Sequence, residues 1–163
     1  MKRKNHAVYL TRGAIIAALY VLLTYLSALF GLASGAIQLR LSELLCILPI
    51  FFAEAIPGLF IGCILSNLLT GAVVWDIVFG SIATLIGAIG ARIIGKAFPR
   101  LHFLATVPTI LSNALIVPFV LAYAYGAEGT ILYFMLTVGI GELLSAGVLG
   151  TACYYLFKRV KFK

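Results

Sequence analysis

Seven polar or amphipathic side chains interrupt or border the apolar runs of this sequence, and they are its candidate functional residues. A charge at the centre of a membrane helix costs about 2.5–3.5 kcal/mol on insertion scales, so such residues usually mark function. Carboxylates, amides, a guanidinium and an indole suit the recognition of a small polar molecule by hydrogen bonding and ring stacking. The seven are Gln38, Arg40, Glu43, Trp75, Asp76, Asn113 and Glu142.

The composition indicates that lipid surrounds these residues. The chain has 163 residues, of which 63% are hydrophobic and 10% are charged, with a mean hydropathy of +1.15. Soluble domains carry about 25% charged residues. Because one crossing takes roughly 20 apolar residues, we expect a single transmembrane domain over 1–163, with about six crossings and no separate soluble domain.

The charge pattern argues against nucleic acid as a partner. The net charge is +7, but the cations cluster at the ends of hydrophobic segments, as in membrane proteins. The cysteines lie in apolar stretches without a second Cys or a His at ligand spacing, so we expect packing roles, no metal and no cofactor. They are Cys46, Cys63 and Cys153.

Hydropathy predicts an all-α integral membrane protein with six transmembrane helices. The basic start is similar to that of a signal peptide, but its apolar stretch is too long for one, so we expect it to remain as the first helix. With six crossings, the basic clusters fall on one face, which predicts that both termini are cytoplasmic. The predicted helices are 8–32, 42–53, 57–71, 76–97, 103–124 and 129–157.

The stretch AIQLRLSE, residues 36–43, alternates apolar and polar side chains with the two-residue period of an extended segment. Irregular backbone at membrane depth survives only where protein buries it or where it lines a watery cavity. We therefore expect a strand-like segment that lines a pocket on the outer side. Arg40 and Glu43 could instead pair with each other and have no further role.

The other candidates also have structural alternatives. Glu142 could be protonated, or hydrogen-bonded to Asn113, and serve packing alone. Asp76 could cap the fourth helix, with or without contacting a ligand. Trp75 could be an interfacial anchor.

Two possible catalytic signals are rejected. GARIIGKA, residues 90–97, has the spacing of a phosphate-binding loop up to its lysine, but Ala97 replaces the hydroxyl residue and the context is a membrane helix. His6 and His102 fall on the basic side, away from the intramembrane carboxylates. No set of nucleophile, base and acid is visible, so we predict that the protein is not an enzyme.

Small residues recur at four-residue spacing on two helices, a pattern that lets helices approach closely. Ala14 and Ala18 do so on the first helix. The longer series on the fourth helix predicts ordinary internal packing. That series is Ala83, Gly87, Ala91 and Gly95.

Several runs occur in the order found in a known family, and RLSE and WDIVFGSIAT are the most specific of them. The chain resembles the QueT family, the substrate-binding S components of energy-coupling factor (ECF) transporters for queuosine precursors. The resemblance implies a six-helix S-component bundle in the prokaryotic cell membrane, with an outer substrate pocket. It also implies a transmembrane coupling subunit, contacted by Ala14 and Ala18, and two cytoplasmic ABC ATPases. The runs are IQLRLSELLCILP, IPGLFIGCILSNLL, WDIVFGSIATLIGA, SNALIVPFVL and VGIGELLSAGVLG.

The implied ligand is a 7-deazaguanine base, with the 7-aminomethyl form as the expected one. Glu142 would accept its adjacent N–H donors, and Asn113 or Arg40 would donate to its carbonyl. Trp75 would stack on the ring, and Asp76 or Glu43 would hold the aminomethyl cation. The alternatives are an S component for another vitamin-like heterocycle, an intramembrane enzyme and a purely structural subunit.

Overall fold

The computed structural model describes residues 6–32 and 38–159, and every regular element in these ranges is helical. The segments, numbered first to sixth along the chain, agree with the predicted helices within three residues at every end. The second is a 3-10 helix, the fifth opens with a 3-10 turn, and the sixth contains a π-helical stretch, Leu143–Leu149. They are His6–Leu29, Leu41–Ile50, Ala55–Leu69, Val74–Ala97, His102–Tyr123 and Ile131–Arg159.

The lengths of these helices bear on how often the chain crosses a membrane. The first, fourth, fifth and sixth helices are long and apolar enough to span one, as expected of a multi-pass membrane protein. The second and third helices are apolar but only 10 and 15 residues long. A straight crossing needs about 20 residues, so six complete crossings stay a prediction.

The prediction of an extended segment over residues 36–43 is wrong for its last three residues, Leu41 to Glu43. Gln38, Leu39 and Arg40 are non-helical, and Arg40 has an extended backbone with φ −95° and ψ 103°. From Leu41 onward the chain is helical, because Leu45, Cys46 and the residues after them are buried all round instead of on alternate sides. Residues 36 and 37 lie outside the described part of the chain.

The helices pack in an order that surrounds the second one. The first helix packs on the third, the third on the fourth, the fourth on the fifth, and the fifth on the sixth. The second helix contacts the first, fourth and sixth helices and forms much of the buried core. The cysteines are buried and free of disulfides, in agreement with packing roles; they are Cys46, Cys63 and Cys153.

The small-residue series of the fourth helix packs internally, as predicted. All four of its members are buried. A Cβ atom added to Gly87 would lie 2.7 Å from Oγ1 of Thr109, and one added to Gly95 would lie 2.5 Å from Cγ1 of Ile50. The fourth helix therefore needs these small residues to approach the fifth and second helices.

One end of the bundle gathers basic and aromatic side chains. His102 stacks on Tyr154 with ring centroids 4.1 Å apart. Arg12 lies 5.2 Å from the ring centroid of Phe52, which is 6.4 Å from that of Phe157. The start of the first helix, the start of the fifth and the end of the sixth thus share one end. Which side of the membrane this end faces stays a prediction, and the basic residues at 2–4, 161 and 163 lie outside the described residues.

Candidate functional site

A polar cavity of about 450 Å³ opens at the other end of the bundle, where the fourth helix begins. This volume is within the range of about 300–1,000 Å³ that is common for small-molecule pockets. The first and third helices, the segment before the second helix and the loop after the fifth contribute to its wall. Its lining is Thr24, Ala28, Gln38, Arg40, Asn67, Thr70, Gly71, Ala72, Asp76, Leu121, Tyr125 and Ala127.

An ion pair with an added phenol crosses this cavity. Nη2 of Arg40 lies 3.5 Å from Oδ2 of Asp76, and the Tyr125 hydroxyl donates to the same oxygen at 3.0 Å. Burial and the neighbouring carboxylate raise the pKa of the Tyr125 phenol, so it remains a donor at neutral pH. Asp76 therefore joins two parts of the chain that are distant in sequence.

The second oxygen of Asp76 has no such partner. Asp76 is only 4% exposed, and its Oδ1 is buried without a hydrogen bond. It lies beside Gly80, because a Cβ atom on that glycine would be 3.0 Å from Oδ1 and 3.4 Å from the amide nitrogen of Asn67. A buried carboxylate oxygen without a donor is costly, and it can accept a hydrogen bond from a bound molecule.

Asp76 occupies the first turn of the fourth helix, where the helix dipole favours a negative charge. The N-cap of that helix is Val73, and no side chain caps it. The Asp76 carboxylate is instead directed to Arg40 and Tyr125. Asn67 supports the turn from the third helix, since its amide donates to the Asp76 carbonyl at 3.2 Å.

The segment that carries Gln38 and Arg40 lies directly on the sixth helix. A Cβ atom on Gly141 would fall 2.0 Å from the carbonyl oxygen of Gln38, so only glycine permits this approach. The N–H of Leu39 donates to the carbonyl of Leu32 at 2.8 Å, which ties the segment to the end of the first helix. The extended backbone then directs Arg40 toward Asp76.

Glu43 does not pair with Arg40, which removes the structural alternative for these two residues. It is 1% exposed, accepts a hydrogen bond from the Tyr20 hydroxyl, and accepts another from the Cys46 thiol at 3.0 Å. Glu43 is absent from the cavity lining. Its position within the second helix directs it into the core.

Glu142 and Asn113 are buried but also absent from the cavity lining. The Asn113 amide donates to the Thr109 carbonyl at 3.1 Å. Oε2 of Glu142 has no hydrogen-bond partner, so the alternative of an Asn113 bond to this oxygen is excluded. Glu142 directly follows Gly141, which contacts Gln38, and it lies close enough to Arg40 and Glu43 to interact electrostatically.

Trp75 lies outside the polar cavity. Its side chain is 59% exposed and stacks on Phe79 with ring centroids 5.9 Å apart. Both rings line a separate aromatic groove of about 440 Å³ between the fourth and fifth helices. Neighbouring residues on one helix point in different directions, and here Asp76 points inward while Trp75 points outward.

Ala14 and Ala18 are exposed and line an apolar groove of about 410 Å³ between the first and third helices. The helices meet closely beneath it, since a Cβ atom on Gly58 would lie 2.7 Å from the Gly13 carbonyl oxygen. The two alanines are therefore not covered by another helix of the described chain. The groove is lined by Tyr9, Leu10, Gly13, Ala14, Ala17, Ala18, Val21, Pro57, Gly58, Ile61 and Leu65.

The structure gives structural roles to residues 90–97 and to His102, which the sequence had excluded as catalytic signals. Residues 90–97 are part of the continuous fourth helix and form no loop. His102 stacks on Tyr154 at the basic end of the bundle, away from the polar cavity. Within residues 6–32 and 38–159, no group of three or more His, Cys, Asp or Glu side chains could hold a metal ion.

Asn67 and Tyr125 were missed by sequence reasoning. Asn67, in the apolar run ILSNLL, gave a usable signal, because it is an amide within a buried helix. Tyr125 gave none: it is one of 8 tyrosines and lies in a loop. Only the fold brings its hydroxyl to Asp76.

The apolar spans and the polar cavity at one end define the class, a multi-pass membrane protein with a cavity the size of a small solute. The sequence profile of the family described as QueT transporter matches residues 10–159, and the chain belongs to that family. This confirms the resemblance. The family consists of transporters, not enzymes, as predicted.

A curated relative shares part of this sequence. The protein of Lactococcus lactis subsp. cremoris (strain MG1363) named Queuosine precursor transporter QueT is 41% identical over 73 residues. That match covers 45% of this chain and 43% of the relative, so less than half of the relative's length is matched. No solved structure matches the chain.

Proposed function

We propose that this protein is the S component of an ATP-driven ECF importer and that it captures a 7-deazaguanine precursor of queuosine from the outer side of the membrane. Family membership and the name of the Lactococcus relative support the substrate class. The observation that carries the proposal is Asp76, which lines the polar cavity of a membrane bundle and whose Oδ1 is buried without a hydrogen-bond partner. An unpaired carboxylate oxygen beside the cavity suits a ligand with a positive or N–H group.

The contacts follow from the chemistry of the ligand. The Arg40 guanidinium donates to the ring carbonyl, and Asp76 accepts from the aminomethyl cation as a charge-assisted hydrogen bond. Asn67 and Tyr125 hold Asp76 in place, and Gln38 adds amide donors and acceptors at the cavity wall. Trp75 is not in this contact set, because it faces the aromatic groove.

We propose that Glu142 accepts hydrogen bonds from the adjacent N–H donors on the guanine-like edge of the ligand. Its Oε2 atom is buried without a partner, as is Oδ1 of Asp76. Glu142 does not line the cavity, so this contact requires the cavity wall to rearrange when the ligand binds. Asn113 and Glu43 do not line the cavity either, so contact of Asn113 with the ring carbonyl, or of Glu43 with the cation as the reserve partner, requires the same rearrangement.

Binding to the purified protein tests this proposal. Isothermal titration in nanodiscs would compare 7-aminomethyl- and 7-cyano-7-deazaguanine with riboflavin, thiamine and folate. Arg40→Ala should weaken deazaguanine binding at least tenfold, because a charged donor is lost. Arg12→Ala is a matched control, since Arg12 also pairs with a carboxylate, 3.3 Å away, but at the basic end.

The competing functions give different results in the same experiment. Tight binding of a vitamin with no deazaguanine binding would favour an S component for another heterocycle. Chemical conversion of a bound ligand would indicate an intramembrane enzyme. Native mass spectrometry of the purified protein would reveal a ligand that travels with it.

Coupling to a partner subunit is tested at the apolar groove. Ala14→Trp combined with Ala18→Trp fills the groove, so uptake in cells should be lost while binding to the isolated protein changes less than threefold, because close approach needs small side chains. Ile86→Trp with Ile89→Trp adds bulk to an exposed face of the fourth helix and should leave uptake intact. Loss of binding in the alanine variant would show that the groove supports the fold instead.

A further inference from the structure

The inward face of the first helix carries three hydroxyl side chains, one per turn, and all three contact the start of the second helix. They are Tyr20, Thr24 and Ser27, each less than 8% exposed. Their spacing of four and three residues puts them on one face of a helix. Buried away from water, these hydroxyl groups need hydrogen-bond partners within the protein.

The partners are consecutive residues. The Ser27 hydroxyl oxygen accepts from the N–H of Leu41 at 2.8 Å, and the oxygens of Thr24 and Ser42 lie 2.8 Å apart. The Tyr20 hydroxyl donates to Glu43. The row therefore follows the second helix residue by residue from Leu41 to Glu43.

The Ser27 contact replaces a missing helix cap. The first N–H groups of a helix lack partners within it, and a Ser, Thr, Asp or Asn at the N-cap normally supplies one. Here the N-cap residue is Arg40, whose side chain makes no capping bond and reaches Asp76 instead. Ser27, from another helix, satisfies the N–H of Leu41 and leaves Arg40 free to face the cavity.

The backbone around Arg40 is held on both sides. Before it, the N–H of Leu39 donates to the Leu32 carbonyl at 2.8 Å; after it, the N–H of Leu41 is held by Ser27. The Arg40 carbonyl itself accepts from the N–H of Glu43 at 3.1 Å. The backbone of Arg40 is thus held by Leu32, just after the first helix, and by Ser27 on its inner face.

We propose that Ser27 and Tyr20 are positioning residues that hold Arg40 in the ligand cavity by capping and anchoring the second helix from the first. The proposal rests on the proposed function, because it assumes that Arg40 contacts the ligand. Neither residue lines the cavity, so each acts through Arg40 and not on the ligand directly. Thr24 belongs to the same row but also lines the cavity.

A double-mutant cycle tests the proposal with 7-cyano-7-deazaguanine as the probe. Ser27→Ala should weaken binding about fivefold, the change expected from the loss of a typical cap. In an Arg40→Ala background the same substitution should change binding less than twofold, because the residue it positions is gone. A role in overall stability alone would give the same change in both backgrounds.

Two further variants control for the possibility that Ser27→Ala misfolds. Ser66→Ala removes another buried serine, whose hydroxyl donates to the Cys63 carbonyl at 3.0 Å within its own helix, and should leave binding unchanged. Tyr20→Phe keeps the ring and removes only the bond to Glu43, and should reproduce the Arg40-dependent loss if Ser27→Ala does not fold.

The outcomes separate the two proposals. If the wild-type protein binds and Arg40→Ala weakens binding, but Ser27→Ala and Tyr20→Phe bind normally, the positioning role is overturned and the proposed function stands. If Arg40→Ala has no effect on binding, the cavity assignment itself fails.

Discussion

Replacing Asp76 with asparagine exchanges one carboxylate oxygen for an NH2 group at a buried polar position of the cavity. Oδ2 already holds Arg40 at 3.5 Å and Tyr125 at 3.0 Å, while Oδ1 is unpaired. An asparagine can keep its oxygen at the Oδ2 position, so both existing contacts survive. Its NH2 group then takes the Oδ1 position, where it opposes a ligand cation instead of accepting from it.

The size of the effect follows from that single contact. A charge-assisted hydrogen bond contributes about 1.5–3 kcal/mol, which corresponds to roughly 10- to 150-fold in Kd. The 7-aminomethyl ligand should lose affinity by this factor in Asp76→Asn. The 7-cyano ligand carries no cation and should change by less than about threefold, the part expected from a slightly altered cavity.

Titration calorimetry of both ligands at pH 7 would measure this difference. Glu128→Gln is the control, because it removes an exposed carboxylate near the same end without contacting the cavity. Equal losses for the two ligands in Asp76→Asn would refute the cation contact. Asp76 would then serve only to hold Arg40 and Tyr125 and to stabilise the start of its helix.

The matching test concerns Glu142. If it accepts the paired donors of the guanine-like edge, Glu142→Gln replaces an acceptor by a donor and should weaken both ligands at least tenfold, whatever the 7-substituent. The two variants and two ligands thus distinguish a carboxylate that binds the deazaguanine ring from one that binds the aminomethyl cation. Full binding in Glu142→Gln would make this residue structural.

Two further predictions concern the segment before the second helix and the topology. Gly141→Ala would put a Cβ atom 2.0 Å from the Gln38 carbonyl and should weaken ligand binding at least tenfold, whereas Gly139→Ala, with 3.8 Å of room, should bind normally in the same titration; equal affinities would show that the segment moves freely. A cysteine introduced at Glu128 should react with an impermeant reagent added outside intact cells, and one at Arg100 should not. The reverse labelling would invert the predicted orientation.

The helices were predictable from the sequence because hydropathy is a local property. Long apolar runs between basic clusters mark the spans, and their ends were located within three residues. The family could also be recognised, since motifs such as RLSE and their order can be identified in the sequence alone. The small-residue series on the fourth helix was likewise read correctly, because four-residue spacing puts such residues on one face.

The segment around Arg40 shows where local patterns fail. Its alternation predicts an extended chain, but from Leu41 onward the second helix is enclosed by the first, fourth and sixth helices, and burial on all sides removes the preference for alternation. The pairing of Arg40 with Asp76, 36 positions later, depends on this packing. No spacing rule connects residues that distant in sequence.

The polarity of individual residues was readable from the sequence, whereas their grouping was decided by the tertiary structure. Arg40 and Asp76 meet at one cavity, Glu43 turns into the core, Glu142 is buried away from the cavity lining, and Trp75 faces outward. The physical reason is that helix rotation is set by how side chains pack between neighbouring helices. A rotation of about 100° per residue separates Trp75 from Asp76, and only the packed bundle determines which of the two faces the cavity.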